Sequence, residues 1–355
     1  MDKNSIHNPC ELDGFAFLEF SGPDPSIFHN LFISMGFQAV ARHSQQDIIL
    51  YRQNEIKFIV NNCTNSQAQQ HWNTHGPGAC AMGFLVKDAK KAYAYAIEHG
   101  AKSFVDSEKS NHELLGIEAI GGSVIFFVDQ AAQPFASNMQ LTTTSAVSNV
   151  GNGLTIIDHL THNVYRGNMD KWAHFYESIF NFKEIRYFDI NGKVTGLISR
   201  ALASPCGKIK IPLNESKDDY SQIEEFLHEF HGEGIQHIAL STNNIYTTVH
   251  SLRANKLKFL DVPDTYYEMV HERLPWHKEP LALLEQEKIL IDGEKIPESG
   301  LLLQIFTENI FGPVFFEIIQ RHGNHGFGEG NFGALFEAIE RDQMRRGTLM
   351  ADHNS

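Results

Sequence analysis

Residues 155–164 read TIIDHLTHNV, residues 169–185 read MDKWAHFYESIFNFKEI, and residues 194–213 read VTGLISRALASPCGKIKIPL. The first is a strand-like apolar run, the second spaces its apolar residues as a helix does, and the third returns to strand-like runs. The helical stretch ends at Asn181-Phe182, and asparagine tolerates the left-handed conformation that closes a helix. The same order stands upstream: GFAFLEFSG at 14–22, PSIFHNLFISMGFQAV at 25–40 with Gly36 at the helix end, and DIILYRQNEIKFIV at 47–60. Two further copies begin at AMGFLVKDAKKAYAYAIEHGAKSF (81–104) and HIALSTNNIYTTVHSLRANKLKFL (237–260), where Asp or Asn precedes the helix as an N-cap. They close on the apolar runs SVIFFVD (123–129) and PVFFEII (313–319). Strand, helix and three strands, repeated four times, specify an α+β protein of paired βαβββ modules, each pair curling its sheet into an open barrel.

The chain has 355 residues, which at roughly 150 per domain is two domains or one large one. Residues 131–153, AAQPFASNMQLTTTSAVSNVGNG, carry no periodic apolar face and read as a linker. They separate an N-terminal domain, 1–130, from a C-terminal domain, 154–355. The latter ends in an amphipathic helix over 331–347, with Phe332, Leu335, Phe336 and Ile339 on one face. Hydrophobic residues at 42% and charged residues at 20% exclude wholesale disorder. A net charge of −14 repels phosphate backbones and anionic lipid, so neither nucleic acid nor membrane is an expected partner. No apolar run approaches the roughly 18–20 residues of a membrane span. The polar start MDKNSIHNPCELDG and four scattered cysteines without a CxxC point to the reducing cytoplasm. The 26 phenylalanines read first as a generously packed core.

Aligning the two halves isolates the polar residues that only one of them carries. His159 falls opposite Phe17, His237 opposite Met82, and Glu317 opposite Val128. Side chains alternate faces along a strand, so all three can point into one barrel at similar depth. A glutamate buried unpaired in PVFFEII is costly, which argues that it has a partner. Two imidazoles and one carboxylate form the facial triad of non-haem Fe(II) oxygenases. The triad leaves three adjacent metal positions open, enough for a chelating 2-oxo acid and dioxygen. His162, three residues after His159, faces the other way; His231, His322 and His325 sit on loops and read as solvated. GFGEGNF (326–332) lacks the βαβ setting of a dinucleotide loop, and no P-loop or G-x-S-x-G elbow is present.

The runs IDHLTHNVYRG (157–167), IPLNE (211–215), SQIEEFL (221–227), GEGIQHIAL (232–240), LLLQIF (301–306), GPVFFEIIQR (312–321), GFGEGNF and LFEAIERDQMRRG (335–347) closely resemble the bacterial 4-hydroxyphenylpyruvate dioxygenases. The resemblance covers about 154–349 and is weaker in the N-terminal half. It implies a vicinal-oxygen-chelate fold and one Fe(II) per chain, with dioxygen as co-substrate. It implies a cytoplasmic homo-oligomer, dimer or tetramer, that turns 4-hydroxyphenylpyruvate into homogentisate and carbon dioxide in tyrosine breakdown. His159, His237 and Glu317 match its metal ligands. It also implies catalytic roles for Gln304, Gln222 and Asn214, and a substrate pocket that adds Ser199, Gln236, Phe306, Phe315, Phe327, Asn331 and Phe332, under the terminal helix as a lid. The alternatives are a 4-hydroxymandelate synthase, an extradiol dioxygenase, and a non-catalytic binding protein on the same modules.

Overall fold

The computed structural model describes residues 7–105, 114–130, 139–141, 151–191 and 196–345. Its first module is β1 (Leu12–Ser21), α1 (Pro25–Ser34), β2 (Gln38–His43), β3 (Ile48–Gln53) and β4 (Ile56–Asn61), with β1 parallel to β4. Helix α2 (Gln67–His75) leads into β5 (Gly78–Val86), α3 (Ala89–Glu98), β6 (Ser103–Phe104), β7 (Gly116–Glu118) and β8 (Val124–Val128), with β5 parallel to β8. The third module is β10 (Leu154–Val164), α4 (Met169–Phe180), β11 (Lys183–Asn191), β12 (Gly196–Ala203) and β13 (Lys210–Ser216). Helix α5 (Gln222–Glu229) precedes the fourth: β14 (Gly234–Thr242), α6 (Ile245–Ala254), β15 (Leu290–Gly293), β16 (Leu301–Phe306) and β17 (Phe315–His322). Three short helices, α7 (Asp264–Glu268), α8 (Val270–Arg273) and α9 (Leu281–Glu287), are inserted after α6, and α10 (Glu329–Arg345) follows β17. The antiparallel pairs β1·β5 and β10·β14 join the modules two by two into mixed sheets.

The local signals act where the sequence places them. Asp88 accepts from the Lys91 amide at 3.0 Å and Asn244 from the Thr247 amide at 3.1 Å, capping α3 and α6. Asn181 ends α4 at φ +56°, in the left-handed region. Most of the expected linker, 131–138 and 142–150, lies outside the described residues. Met139–Leu141 within it forms a further strand, β9, antiparallel to β2. Those three residues complete a sheet edge.

The strand ladders correct two of the counterparts that counting along the sequence assigns. His159 sits in register with Ala239 and Ala239 with Glu317; His237 pairs with Thr161 and Phe315. In the other half Phe17 pairs with Gly83 and Gly83 with Phe126, while Glu19 pairs with Ala81 and Ala81 with Val124. The counterparts of His237 and Glu317 are therefore Ala81 and Phe126, not Met82 and Val128. Counting along the sequence displaces the Glu317 counterpart by two residues and the His237 counterpart by one, and one residue of slip reverses the face. Phe17, Ala81, Val124, Phe126 and Val128 belong to a separate apolar cluster, with Phe17 and Phe126 rings 6.3 Å apart. That cluster fills the place which the polar residues occupy in the second sheet.

One main core runs through both halves. Phe20 and Phe28 of the first module meet Phe311 at ring distances of 5.9 and 5.1 Å, and Phe58 meets Phe316 at 6.1 Å. Each fully buried phenylalanine contributes roughly 1.5–3 kcal/mol relative to exposure. Hydrogen bonds join the same halves: Asn54 Nδ2 donates to the Leu154 carbonyl (2.6 Å), and the Glu55 amide donates to the Thr155 carbonyl (3.1 Å).

The terminal helix begins two residues earlier than its sequence pattern indicates and buries a different face. Asn331, Ala334 and Ala338 are buried, whereas Phe332 and Ile339 are about two-fifths exposed (41% and 42%) and Leu335 is half-buried. The Phe336 side chain lies outside the described residues. The reason is close approach: Thr265 Oγ1 donates to the Ala338 carbonyl at 2.6 Å, so α7 lies against the helix backbone, where small residues fit. Phe332 is left free to face elsewhere.

Candidate metal centre and cavity

Strands β10, β14 and β17 are neighbours in the second sheet, and their inward faces carry His159, His237 and Glu317. His159 Nε2 lies 3.2 Å from Glu317 Oε2, and His237 Nε2 lies 3.6 Å from the same oxygen. All three ligand atoms fall within 4.8 Å of one another, the only such group among the described residues. His159 and Glu317 are each 1% exposed, and Glu317 Oε1 has no hydrogen-bond partner. Two imidazole nitrogens and a carboxylate converging in a buried place, with one oxygen unsatisfied, suit a divalent metal ion.

Charge is unevenly shared in this cluster. Burial and the charge of His159 push His237 well below the usual histidine range, leaving its imidazole neutral, the form that ligates. Burial also opposes charge on His159, but the Glu317 carboxylate and a hydrogen bond to Asp158 outweigh it and raise its pKa. Asp158 Oδ1 lies 2.8 Å from His159 Nδ1. Burial works against the Asp158 carboxylate, yet bonds from Arg321 and His159 hold it well below the usual carboxylate range. Neither Asp158 nor Arg321 was anticipated from the sequence. The available signal was two charges, one beside His159 in IDHL and one four residues after Glu317 in EIIQR, in otherwise apolar strands.

His159 and His237 line a cavity of about 50 Å³, walled also by Ser199, Asn214, Phe327 and Phe332. Ser199 and Asn214 face each other across the β12·β13 ladder. Phe188, Leu197 and Pro212 complete an apolar side that the sequence reading missed. Phe327 presents its ring to His159 edge-on at 5.2 Å. Phe315 stacks on His237 at 4.9 Å, and Phe306 meets Phe315 at 6.0 Å.

The remaining expected residues take other places. Gln304 is buried in β16 two residues from Phe306, the partner of Glu317; its Oε1 is unpartnered and its amide packs against Gly328. Gly328 has φ +81°, so a Cβ there would be strained as well as overlapping that amide. Gln236 turns its Oε1 to His237 Nδ1 at 3.1 Å, supporting the ligand. Asn331 accepts from the Tyr266 hydroxyl (2.6 Å) and Arg273 (3.2 Å), anchoring α10 to the core. Gln222 is exposed at the first turn of α5 and does not line the cavity. Its place is dictated by Ser221, which caps that helix and leaves the next side chain in solvent. His162 points away from the cluster, with Nε2 2.8 Å from the Tyr176 hydroxyl.

Known proteins resemble the chain along its whole length. Residues 6–138 match the family described as hydroxyphenylpyruvate dioxygenase, N-terminal, and residues 156–270 match the glyoxalase/bleomycin resistance protein/dioxygenase superfamily. A protein of Legionella pneumophila named 4-hydroxyphenylpyruvate dioxygenase is 72% identical over 343 residues, covering 97% of this chain and 98% of that one. One of the same name from Pseudomonas aeruginosa is 52% identical over 350 residues, with 97% and 98% coverage. Among solved structures, a mutant of 4-hydroxymandelate synthase from Streptomyces coelicolor superposes with a TM-score of 0.79 at 24% identity, covering 94% and 99% of the two chains. That likeness concerns the fold. No helix among the described residues is long and apolar enough to cross a membrane.

Proposed function

The chain belongs to the 4-hydroxyphenylpyruvate dioxygenase family, and on that premise we propose that it converts 4-hydroxyphenylpyruvate and dioxygen to homogentisate and carbon dioxide. The observation that carries the proposal is the convergence of His159, His237 and Glu317, with both histidines on the cavity wall. These three residues would hold one Fe(II) per chain. Bound there, iron supplies open coordination positions and the electrons that let dioxygen decarboxylate a 2-oxo acid and hydroxylate its ring.

The chain's own side chains do the rest. The 2-oxo acid end of the substrate faces the ligand cluster, while Ser199 and Asn214, in the same cavity, offer donors and acceptors to the phenol. Phe327 and Phe332 enclose the ring from the loop and first turn of α10 and keep water out. Both rings stand on the wall of the cavity, so the substrate seats against them. The terminal helix, held through Asn331, then acts as a lid. The N-terminal half, residues 1–130, is non-catalytic in this reading, since Phe17, Ala81 and Phe126 stand where the ligands would be. The homo-oligomeric state implied by the resemblance is read directly by light scattering.

The test is oxygen uptake by the Fe(II)-loaded protein with 4-hydroxyphenylpyruvate, with the product identified by mass and retention time. Homogentisate is expected, and His159→Ala should abolish its formation. Hydroxymandelate as product would instead assign hydroxylation of the benzylic carbon. Absence of turnover by iron-loaded protein would overturn the assignment.

A further inference from the structure

We infer that Asp158 and Arg321 are positioning residues that orient the metal ligand His159 and tie that orientation to the loop seating Phe327 in the cavity. The inference rests on the metal-dependent reading above. A side chain next to His159 in a regular strand would point to the opposite face. The register shift between Ile157 and His159 re-aims Asp158, so that its Oδ1 reaches His159 Nδ1 at 2.8 Å. An ionised carboxylate only accepts hydrogen bonds, so Nδ1 carries the proton and Nε2 keeps its lone pair towards Glu317 and His237.

Asp158 is 4% exposed, and a lone buried carboxylate is costly. Arg321 engages both its oxygens, Nε to Oδ2 at 2.9 Å and Nη2 to Oδ1 at 2.8 Å. Ser241 Oγ donates to Oδ2 at 3.3 Å, and Lys210 Nζ stands 3.5 Å away. The carboxylate is thus held from β13, β14 and β17 at once, which fixes the imidazole it supports. Arg321 has a second set of contacts. Its Nη1 donates to the carbonyls of Gly326 (2.6 Å) and Asn324 (3.2 Å), and its guanidinium lies 5.5 Å from the Phe327 ring centroid. Phe327 in turn meets the His159 ring. Ligand, carboxylate, guanidinium and cavity ring form a closed circuit. An ion pair that served stability alone would have no need to return to the ligand.

The test uses the full chain, stripped of metal and titrated with Co(II) against a chromogenic chelator. Hydrogen–deuterium exchange of segment 323–328 is followed in parallel. In Asp158→Asn the amide either turns its NH2 on Arg321 or gives His159 a donor that moves the proton to Nε2. Co(II) affinity is expected to fall about 10- to 100-fold with the circular dichroism spectrum retained. Arg321→Lys keeps a charge but loses the fork and the loop contacts. It is expected to lower affinity about tenfold and to speed exchange across 323–328. Ser241→Ala, which removes a single bond to Asp158, is expected to lower affinity about two- to fivefold and carries the test with Arg321→Lys if Asp158→Asn does not fold. Wild-type affinity in a folded Asp158→Asn, or in both milder variants, overturns the inference. Wild-type protein that binds no Co(II) overturns the metal-centre reading itself, a separate outcome.

Discussion

His71 sets an acid limit on stability that can be calculated. It sits on α2 at the seam between the halves, 5% exposed, with its ring 4.7 Å from His75 and 6.0 Å from Phe230. Burial, reinforced by the charge of His75, pushes its pKa down to about 3. The unfolded chain binds its proton near pH 6.5, so between pH 6.5 and 3 the unfolded state holds more protons than the folded one. Stability is complete above pH 6.5 and falls as pH falls through that window. At pH 5 the difference costs about 2 kcal/mol for this one residue. His162, fully buried beside Tyr176, is likewise pushed down to about 3 by burial and adds a similar loss. Guanidinium unfolding at pH 7.5 and pH 5.0 should show the decrease, and His71→Phe should shrink it by about 2 kcal/mol. Phenylalanine keeps the ring contacts while removing the titrating nitrogen. If His71→Phe and the unsubstituted protein lose the same stability between the two pH values, the reasoning from burial is refuted.

Other expectations concern the site. Saturating a divalent metal at about 100 times its Kd should raise unfolding stability by about 2.7 kcal/mol; EDTA should reverse the gain and Glu317→Gln should erase it, as read by calorimetry. Gly328→Ala should cost about 1–3 kcal/mol, because φ +81° disfavours a side chain and the new Cβ overlaps the Gln304 amide; thermal unfolding measures it. Phe327→Ala should lower kcat/KM about tenfold while metal affinity stays within about threefold, separating enclosure of the substrate from ligation. Asn214→Ala should raise KM about tenfold, and Gln222→Ala, remote from the cavity, should leave steady-state kinetics unchanged.

The candidate metal-binding cluster was legible because its residues break an apolar pattern. A histidine in TIIDHLTHNV and a glutamate in PVFFEII are costly where they stand unless something pairs with them, and the repeated modules supply an apolar copy for comparison. The comparison picked out three residues that the fold brings within 4.8 Å of one another, even though two of its counterparts were displaced. Strand register is set by pairing between strands, which a residue count does not see. Gln222, a polar residue in a recognisable run, lies in solvent, because the helix cap beside it sets its direction. The terminal helix was found at nearly the right place, yet its buried stripe follows Asn331, Ala334 and Ala338 rather than its largest apolar residues.

By itself, the amino-acid order determined the four modules, their helix caps and the three side chains fit to hold a metal, since periodicity, capping and the cost of burying charge act through near neighbours. Only the tertiary structure decided that Asp158 meets Arg321, 163 positions away, that Ser199 stands across from Asn214, and that Phe332 rather than Ala334 turns from the core. Those outcomes depend on strand register and on how closely helices approach, and both are settled when distant segments pack together.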